Sequence, residues 1–454
     1  MRTRRRTFAL MVGVATAVVT MTLALGVLLA PSGQAAVTPA VACSYPAWAE
    51  GTSYKIGDRV TYQGHAYQAI QANTPPVGAG WTPVAVPALW QDLGACTGGT
   101  TPPPPPPTTS GPSPTPSRTT SSPTPPPVTT SPPPGGGTCA VKSRPAGKVI
   151  QGYWENWDGA LGGVHPGLGW IPITDSRILQ HGYNVINAAF PVIQSDGTVL
   201  WQNGMDTNVK VATPAEMCQE KAAGATILMS IGGAAAGIDL SSSTVADRFV
   251  ATIVPILKAY NFDGIDIDIE TGLTGSGNIN TLSTSQANLE RIIDGVLAQM
   301  PSNFGLTMAP ETAYVTGGSV TYGSIWGAYL PIVKKYADNG RLWWLNMQYY
   351  NGSMYGCSGD SYAAATVQGF TVQTNCLNTG LVIQGTTIRV PYDKQVPGLP
   401  AQPGAGGGYM TPSLVSQAYG GVGGQIKGLM TWSINWDGSK GWTFGDNVKG
   451  LEGR

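Results

Sequence analysis

Between residues 148 and 433, short apolar, β-branched runs return at intervals of roughly 30 to 45 residues. They are 148-KVIQGYW-154, 183-YNVINAAF-190, 225-ATILMSI-231, 262-FDGIDIDI-269, 304-FGLTMAP-310, 342-LWWLNMQYY-350, 386-TTIRVPY-392 and 426-IKGLMTWS-433. Helical patterns lie between some of them. In 289-LERIIDGVLAQM-300 the apolar residues recur on one helical face, and a second helix is expected over 245–260 after the capping serines 241–243. Eight strands alternating with helices predict an α/β fold of the (β/α)8 TIM-barrel type. By spacing alone, an open doubly wound sheet is the other fold that fits.

The fourth run carries a cost that needs an explanation. In 262-FDGIDIDIE-270 four carboxylates, Asp263, Asp266, Asp268 and Glu270, stand among isoleucines, in a chain where only 11% of residues are charged. Unpaired buried charge is expensive. Along a barrel strand, side chains alternate outward and inward. Ile265, Ile267 and Ile269 then face the helices, while Asp266, Asp268 and Glu270 share the inner face about 6.5 Å apart. Asp263 has the opposite parity and reads as structural. Glu270 falls at the C-terminal end, where barrel active sites open. Crowded like charges raise at least one pKa, which makes a general acid that stays protonated near neutrality.

This run is the Asp-x-x-Asp-x-Asp-x-Glu signature of glycoside hydrolase family 18, which the whole segment 146–454 resembles. Supporting motifs are 230-SIGG-233, 308-MAPE-311, 348-QYYN-351 and Trp432 in 429-LMTWSINWD-437. About 30 residues separate the seventh and eighth runs, too few for the α+β insertion of the family's deep-cleft branch. The chain therefore resembles the shallow-cleft, chitinase D-type and hevamine-like members. The resemblance implies substrate-assisted, retaining hydrolysis of β-1,4-N-acetylglucosamine linkages, without cofactor or metal. Glu270 would be the acid and then the base. Asp268 would hold the acetamide N–H, Asp266 would tune Asp268, and Tyr350 would hydrogen-bond the acetamide oxygen. Trp432 would floor the site, with Tyr153, Gln348, Met308, Ser230 and Asn351 lining it. Asn351 stands where the deep-cleft branch has Asp. The glycine run 404-GAGGG-408 lacks a phosphate-loop lysine and reads as a flexible loop.

The N-terminal part has a different character. MRTRRR, an apolar run over 9–30 and small residues to position 36 read as a secretory signal. The run is also long enough for a retained anchor. Residues 43–96 resemble the chitin-binding modules of carbohydrate-binding families 5 and 12, through Ala47-Trp48, Tyr54, Gly57-Asp58, Tyr62…Gly64…Tyr67, Gly80-Trp81 and Pro87-Ala88-Leu89-Trp90. That resemblance implies a small all-β module whose Trp81 stacks on sugar, with Tyr67 beside it, and whose Trp48 and Trp90 are core. Residues 97–138, almost wholly Pro, Thr, Ser and Gly, form a spacer with a reach of up to roughly 130 Å. Six cysteines in an exported chain predict the pairs Cys43–Cys96, Cys139–Cys218 and Cys357–Cys376. A net charge of zero without a basic stripe argues against nucleic acid. The expectation is a secreted, monomeric endochitinase acting on chitin and chitooligosaccharides, with no membrane segment in the mature form. An endo-β-N-acetylglucosaminidase and a non-catalytic chitin lectin are the other readings.

Overall fold

The computed structural model describes residues 41–42, 44–49, 52, 54–55, 57–69, 82–83, 90–97, 137–159, 165, 168–234 and 237–454. The signal-like run, nearly all of the spacer, Cys43 and Trp81 lie outside them. The chain divides into two units, Met1–Thr115 and Pro116–Arg454.

In the first unit a four-stranded sheet carries the strands in the order Val41–Ala42, Trp90–Thr97, His65–Ala69, Arg59–Tyr62. Gln63 and Gly64 both have positive φ, as a tight two-residue hairpin turn requires. Tyr54, Val60, Tyr67, Ala69 and Trp90 make its core, with Trp48 and Tyr62 packed against it. This corrects the expectation for Tyr67. At 6% exposure it belongs to the core of the unit rather than to its surface. Cys96 is disulfide-bonded, and its expected partner Cys43 is outside the described residues.

In the second unit eight parallel strands form one sheet: β1 Val149–Glu155, β2 Val185–Ala189, β3 Thr226–Gly232, β4 Gly264–Asp268, β5 Gly305–Met308, β6 Trp344–Leu345, β7 Gly398–Pro400 and β8 Gly428–Trp432. The order is β6-β5-β4-β3-β2-β1-β8-β7, and parallel bridges Leu345↔Gln395 and Gln348↔Gly398 join its two edges into a barrel. The expected seventh strand is corrected. Residues 386–392 begin with one arm of a small antiparallel hairpin, Leu381–Ile383 with Thr386–Ile388. The barrel instead uses the Gly-Leu-Pro of β7. Between β7 and β8 lies one helix, Pro412–Gly421, and no further sheet among the described residues.

The helices form where their patterns predict. Ser242 caps Ser243–Ala259 by accepting from Val245 N, and Ser283 with Gln286 makes a capping box on Thr284–Leu297. Their apolar faces, including Phe249, Ile253, Leu289 and Ile292, share one core with Ile265, Ile267 and Ile269 of the β4 segment. Each such isoleucine buried contributes roughly 1.5–3 kcal/mol. Met308 belongs to this outer layer too, fully buried and in register with Ile267, so it faces the helices rather than substrate.

The N-terminal ends of the strands are closed by segment 137–144. Asp263 accepts from Lys142 N at 2.7 Å and Ile227 N at 2.9 Å, and pairs with Lys221 Nζ at 2.7 Å. Cys139–Cys218 fastens the same segment, and Cys357–Cys376 ties the loop after β6 to the helix Val367–Thr379. No helix among the described residues is long and apolar enough to cross a membrane.

Candidate active site

The inward side chains of β4 meet donors from every neighbouring strand. Asp266, fully buried, accepts four hydrogen bonds. Tyr153 Oη (β1) and Ser230 Oγ (β3) each donate to Oδ2 at 2.8 Å. Thr307 Oγ1 (β5) donates to Oδ1 at 2.6 Å and Asn346 Nδ2 (after β6) at 3.0 Å. Burial pushes its pKa up while these four bonds pull it back. Ser230 and Tyr153 therefore point into the barrel interior, where their hydroxyls serve Asp266.

Asp268 and Glu270 are served more thinly. Gln348 Nε2 lies 3.0 Å from Asp268 Oδ1, 2.9 Å from Glu270 Oε1 and 3.1 Å from Ala309 O. An amide nitrogen carries two hydrogens, so three acceptors compete for them. A proton on either carboxyl relieves the shortfall. Burial raises both pKa values, and for Asp268 the charges of Glu270 and Asp266 raise it further, well above the carboxylate range. Both shifts run in the direction that favours the protonated form, as expected for like charges crowded in a buried site. Glu270 is the partly exposed member, so the proton has a route to a ligand.

The backbone beneath Glu270 is fixed by two tyrosines. Tyr329 Oη donates to Ile269 O at 2.9 Å, and Tyr314 Oη donates to Glu270 O at 2.8 Å. On the β3 side, Gly232 has φ 111°, and a Cβ there would lie 2.1 Å from Asp268 O. Only glycine permits that approach. Tyr350 is 5% exposed; burial and then the charges of Asp268 and Glu270 push its phenol well up, so it remains a donor. Asn351, exposed, takes a left-handed conformation at φ 61° and bonds to Gly407.

Several residues escaped the sequence reading. Trp157 and Phe190 join Tyr153 and Trp432 in an aromatic cluster: Trp432 lies 5.4 Å from Tyr153, 5.9 Å from Phe190 and 6.2 Å from Trp157, centroid to centroid. Trp157, Phe190 and Trp432 are partly exposed, so the cluster offers ring faces beside the carboxylates. Glu311, in the quoted MAPE motif, is held beside Gln348 by a parallel bridge, and burial followed by the Glu270 charge raises its pKa to about 7. Thr307 and Asn346 gave no signal at all, because a single hydroxyl or amide in an apolar run carries no period. Under the aromatic cluster, buried His165 Nε2 lies 2.6 Å from Glu155 Oε2, and Ser433 Oγ donates to Glu155 Oε1.

This constellation can be set against known proteins. The profile of glycosyl hydrolases family 18 matches residues 149–338. Endochitinase 4 of Metarhizium robertsii is 82% identical over 313 residues, spanning 69% of this chain and 91% of that protein. The chain belongs to glycosyl hydrolase family 18. Within the family, Endochitinase 37 of Trichoderma harzianum is likewise 82% identical, over 310 residues that span 68% of this chain and 92% of the relative. The solved structure of a family 18 chitinase from Chromobacterium violaceum covers 90% of this chain and all of its own, at TM-score 0.59 and 28% identity. Residues 47–91 match the carbohydrate-binding module family 5/12 profile.

Proposed function

We propose that this family 18 protein is an endochitinase that hydrolyses internal β-1,4-N-acetylglucosamine linkages of chitin with retention at the anomeric carbon. The observation that carries the reading is the Asp268–Glu270 pair, which shares one amide donor in a pocket whose charges are all negative. Such a pair holds a transferable proton at neutral pH, as a glycosidic leaving group needs.

The residues divide the work as follows. Glu270 protonates the glycosidic oxygen. The acetamide carbonyl oxygen of the sugar at the site bonds to C1 as the C1–O bond breaks, giving an oxazolinium ion. Asp268 accepts the acetamide N–H and offsets the positive charge, while Asp266, with four donors around its carboxyl, sits beneath Asp268 and adds negative potential to it. Tyr350 donates to the acetamide oxygen, and Trp432 with Trp157 and Phe190 supplies apolar faces for pyranose rings. Glu270 then takes a proton from water as that water attacks C1, and the bond from C1 to the acetamide oxygen breaks to restore the N-acetyl group. This differs from the two-carboxylate retaining scheme, because the nucleophile comes from substrate.

The organisation proposed with it is a signal over 1–36, a chitin-binding module over 43–96 that includes Trp81, a spacer over 97–138 and a catalytic domain over 146–454. The basic and apolar N-terminus together with the disulfides supports export, and chitin is the partner the module suits. That the described residues between β7 and β8 form one helix and no sheet supports an open groove and internal, mostly non-processive cleavage.

The test is product analysis on a chitin hexamer and on a high-mannose glycopeptide, with viscosity of a soluble chitin derivative followed against reducing ends. The hexamer should yield short oligomers while the glycopeptide stays intact, and viscosity should collapse early. Glycan release with an untouched hexamer would replace this reading with the endo-β-N-acetylglucosaminidase. Sugar binding without turnover would replace it with the lectin.

A further inference from the structure

The glycine run 404-GAGGG-408 has no part in the chemistry above, yet it is packed against it. A Cβ built on Gly406 would lie 3.1 Å from Tyr350 Cδ2, 3.2 Å from Asn351 Oδ1 and 3.3 Å from Pro400 Cγ. On either side, Gly404 and Gly408 have positive φ, and their Cβ positions would meet Trp436 at 3.1 Å and Ala364 at 2.5 Å. The run is glycine because backbone must pass where side chains cannot, which replaces the expectation of slack. Apart from the turn bond from Ala405 N to Gln402 O, its hydrogen bonds among the described residues are to one residue. Asn351 N donates to Gly407 O at 2.8 Å, and Gly407 N donates to Asn351 Oδ1 at 2.7 Å. Both bonds depend on the left-handed backbone at Asn351, a conformation asparagine accepts more readily than any other side chain.

We propose that Asn351 is a positioning residue: it clamps the 404–408 loop over the edge of the Tyr350 ring and so fixes where the Tyr350 hydroxyl points. The inference rests on the reading of Tyr350 as the acetamide donor. A ring in a packed site is held by what touches its edges and faces, and here one edge is walled by loop backbone. With the clamp released, the wall withdraws and the ring gains freedom. A hydroxyl that aims at the acetamide oxygen only part of the time lowers turnover more than binding. Asn351 lies at the exposed rim, so releasing it opens no cavity in the core.

The experiment is steady-state kinetics of the full chain on chitooligosaccharides in a double-mutant cycle. Asn351→Gly keeps the left-handed backbone and removes the acceptor; kcat should fall roughly tenfold with KM within about twofold. Asn351→Asp keeps Oδ1 and should recover most of that loss. Tyr350→Phe alone should cost roughly a hundredfold in kcat, and adding Asn351→Gly to it should cost less than about twofold more. Gly406→Ala, which crowds the ring from the same side, should also lower kcat in the native background. An equal tenfold loss from Asn351→Gly in both backgrounds would overturn the clamp. So would a raised KM at unchanged kcat, which would mark a direct contact with the sugar. Wild-type kcat in Tyr350→Phe would instead sink the acetamide role of Tyr350, and the clamp's catalytic consequence with it.

Discussion

The two ends of β4 treat buried carboxylate in opposite ways. At the N-terminal end Asp263 is matched by a cation, Lys221 at 2.7 Å, and by two backbone N–H groups. At the C-terminal end Asp266, Asp268 and Glu270 receive only neutral donors: two amides, a serine, a threonine and a tyrosine. Charge matched by charge holds the chain in place, here the 137–144 segment under the barrel. Charge matched only by dipoles leaves the carboxyl poised to keep a proton, which is useful for acid catalysis and costs stability. Carboxylates three to seven positions apart along one segment become fastener or reagent according to what surrounds them.

The largest effect should come from the reagent end. Glu270→Gln keeps the volume and removes the proton, so kcat on chitin oligomers should drop by about 10²- to 10⁴-fold. The melting temperature should be unchanged or higher, since a buried carboxyl is replaced by a neutral amide. Near-normal turnover in this variant would break the comparison outright. At the fastener end, Lys221→Met should leave Asp263 buried and unpaired, lowering unfolding free energy by about 3–5 kcal/mol in denaturant titrations. Its kcat per folded molecule should match the native value; a loss of kcat at full stability would mean the two ends are not separate.

A smaller effect sharpens the electrostatic half of the contrast. Glu311 has a folded-state pKa of about 7, above the usual range, so its neutral form favours the fold. The stability it lends is complete below the ordinary glutamate pKa and is lost as pH rises toward 7. Unfolding free energy measured from pH 4 to 7 should therefore fall more steeply in the native protein than in Glu311→Gln, by at most about 3 kcal/mol. Parallel curves would show that Glu311 is ionised in the fold and that the site tolerates charge more easily than its burial implies.

Where sequence reasoning went astray, the cause was register or partnership. Met308 was placed inward by its motif, but pairing with Ile267 sends it to the helix side. A one-residue difference in register reverses every side chain, and four residues of β5 do not declare their parity. The β-branched run at 386–392 outcompeted Gly-Leu-Pro on propensity, yet the barrel took the latter, because a strand closing the barrel is selected by its position. Tyr67 had the composition of a sugar platform and the location of a core residue.

By itself the sequence determined an alternating α/β fold, the carboxylate strand and the membership of Asp266, Asp268 and Glu270 in one row, while spacing left a closed barrel and an open sheet both standing. These are local signals: a recurrence of apolar runs, and a period of two within one of them. The tertiary structure alone decided which donors serve each carboxylate. The donors that grade Asp266 against its neighbours come from positions 36 to 113 residues away in the chain. Thr307, Asn346 and Gln348 act through the alignment of strands around the barrel, as do Trp157 and Phe190 in the aromatic cluster. Closure sets that alignment, and no stretch of sequence short enough to read as a pattern contains it.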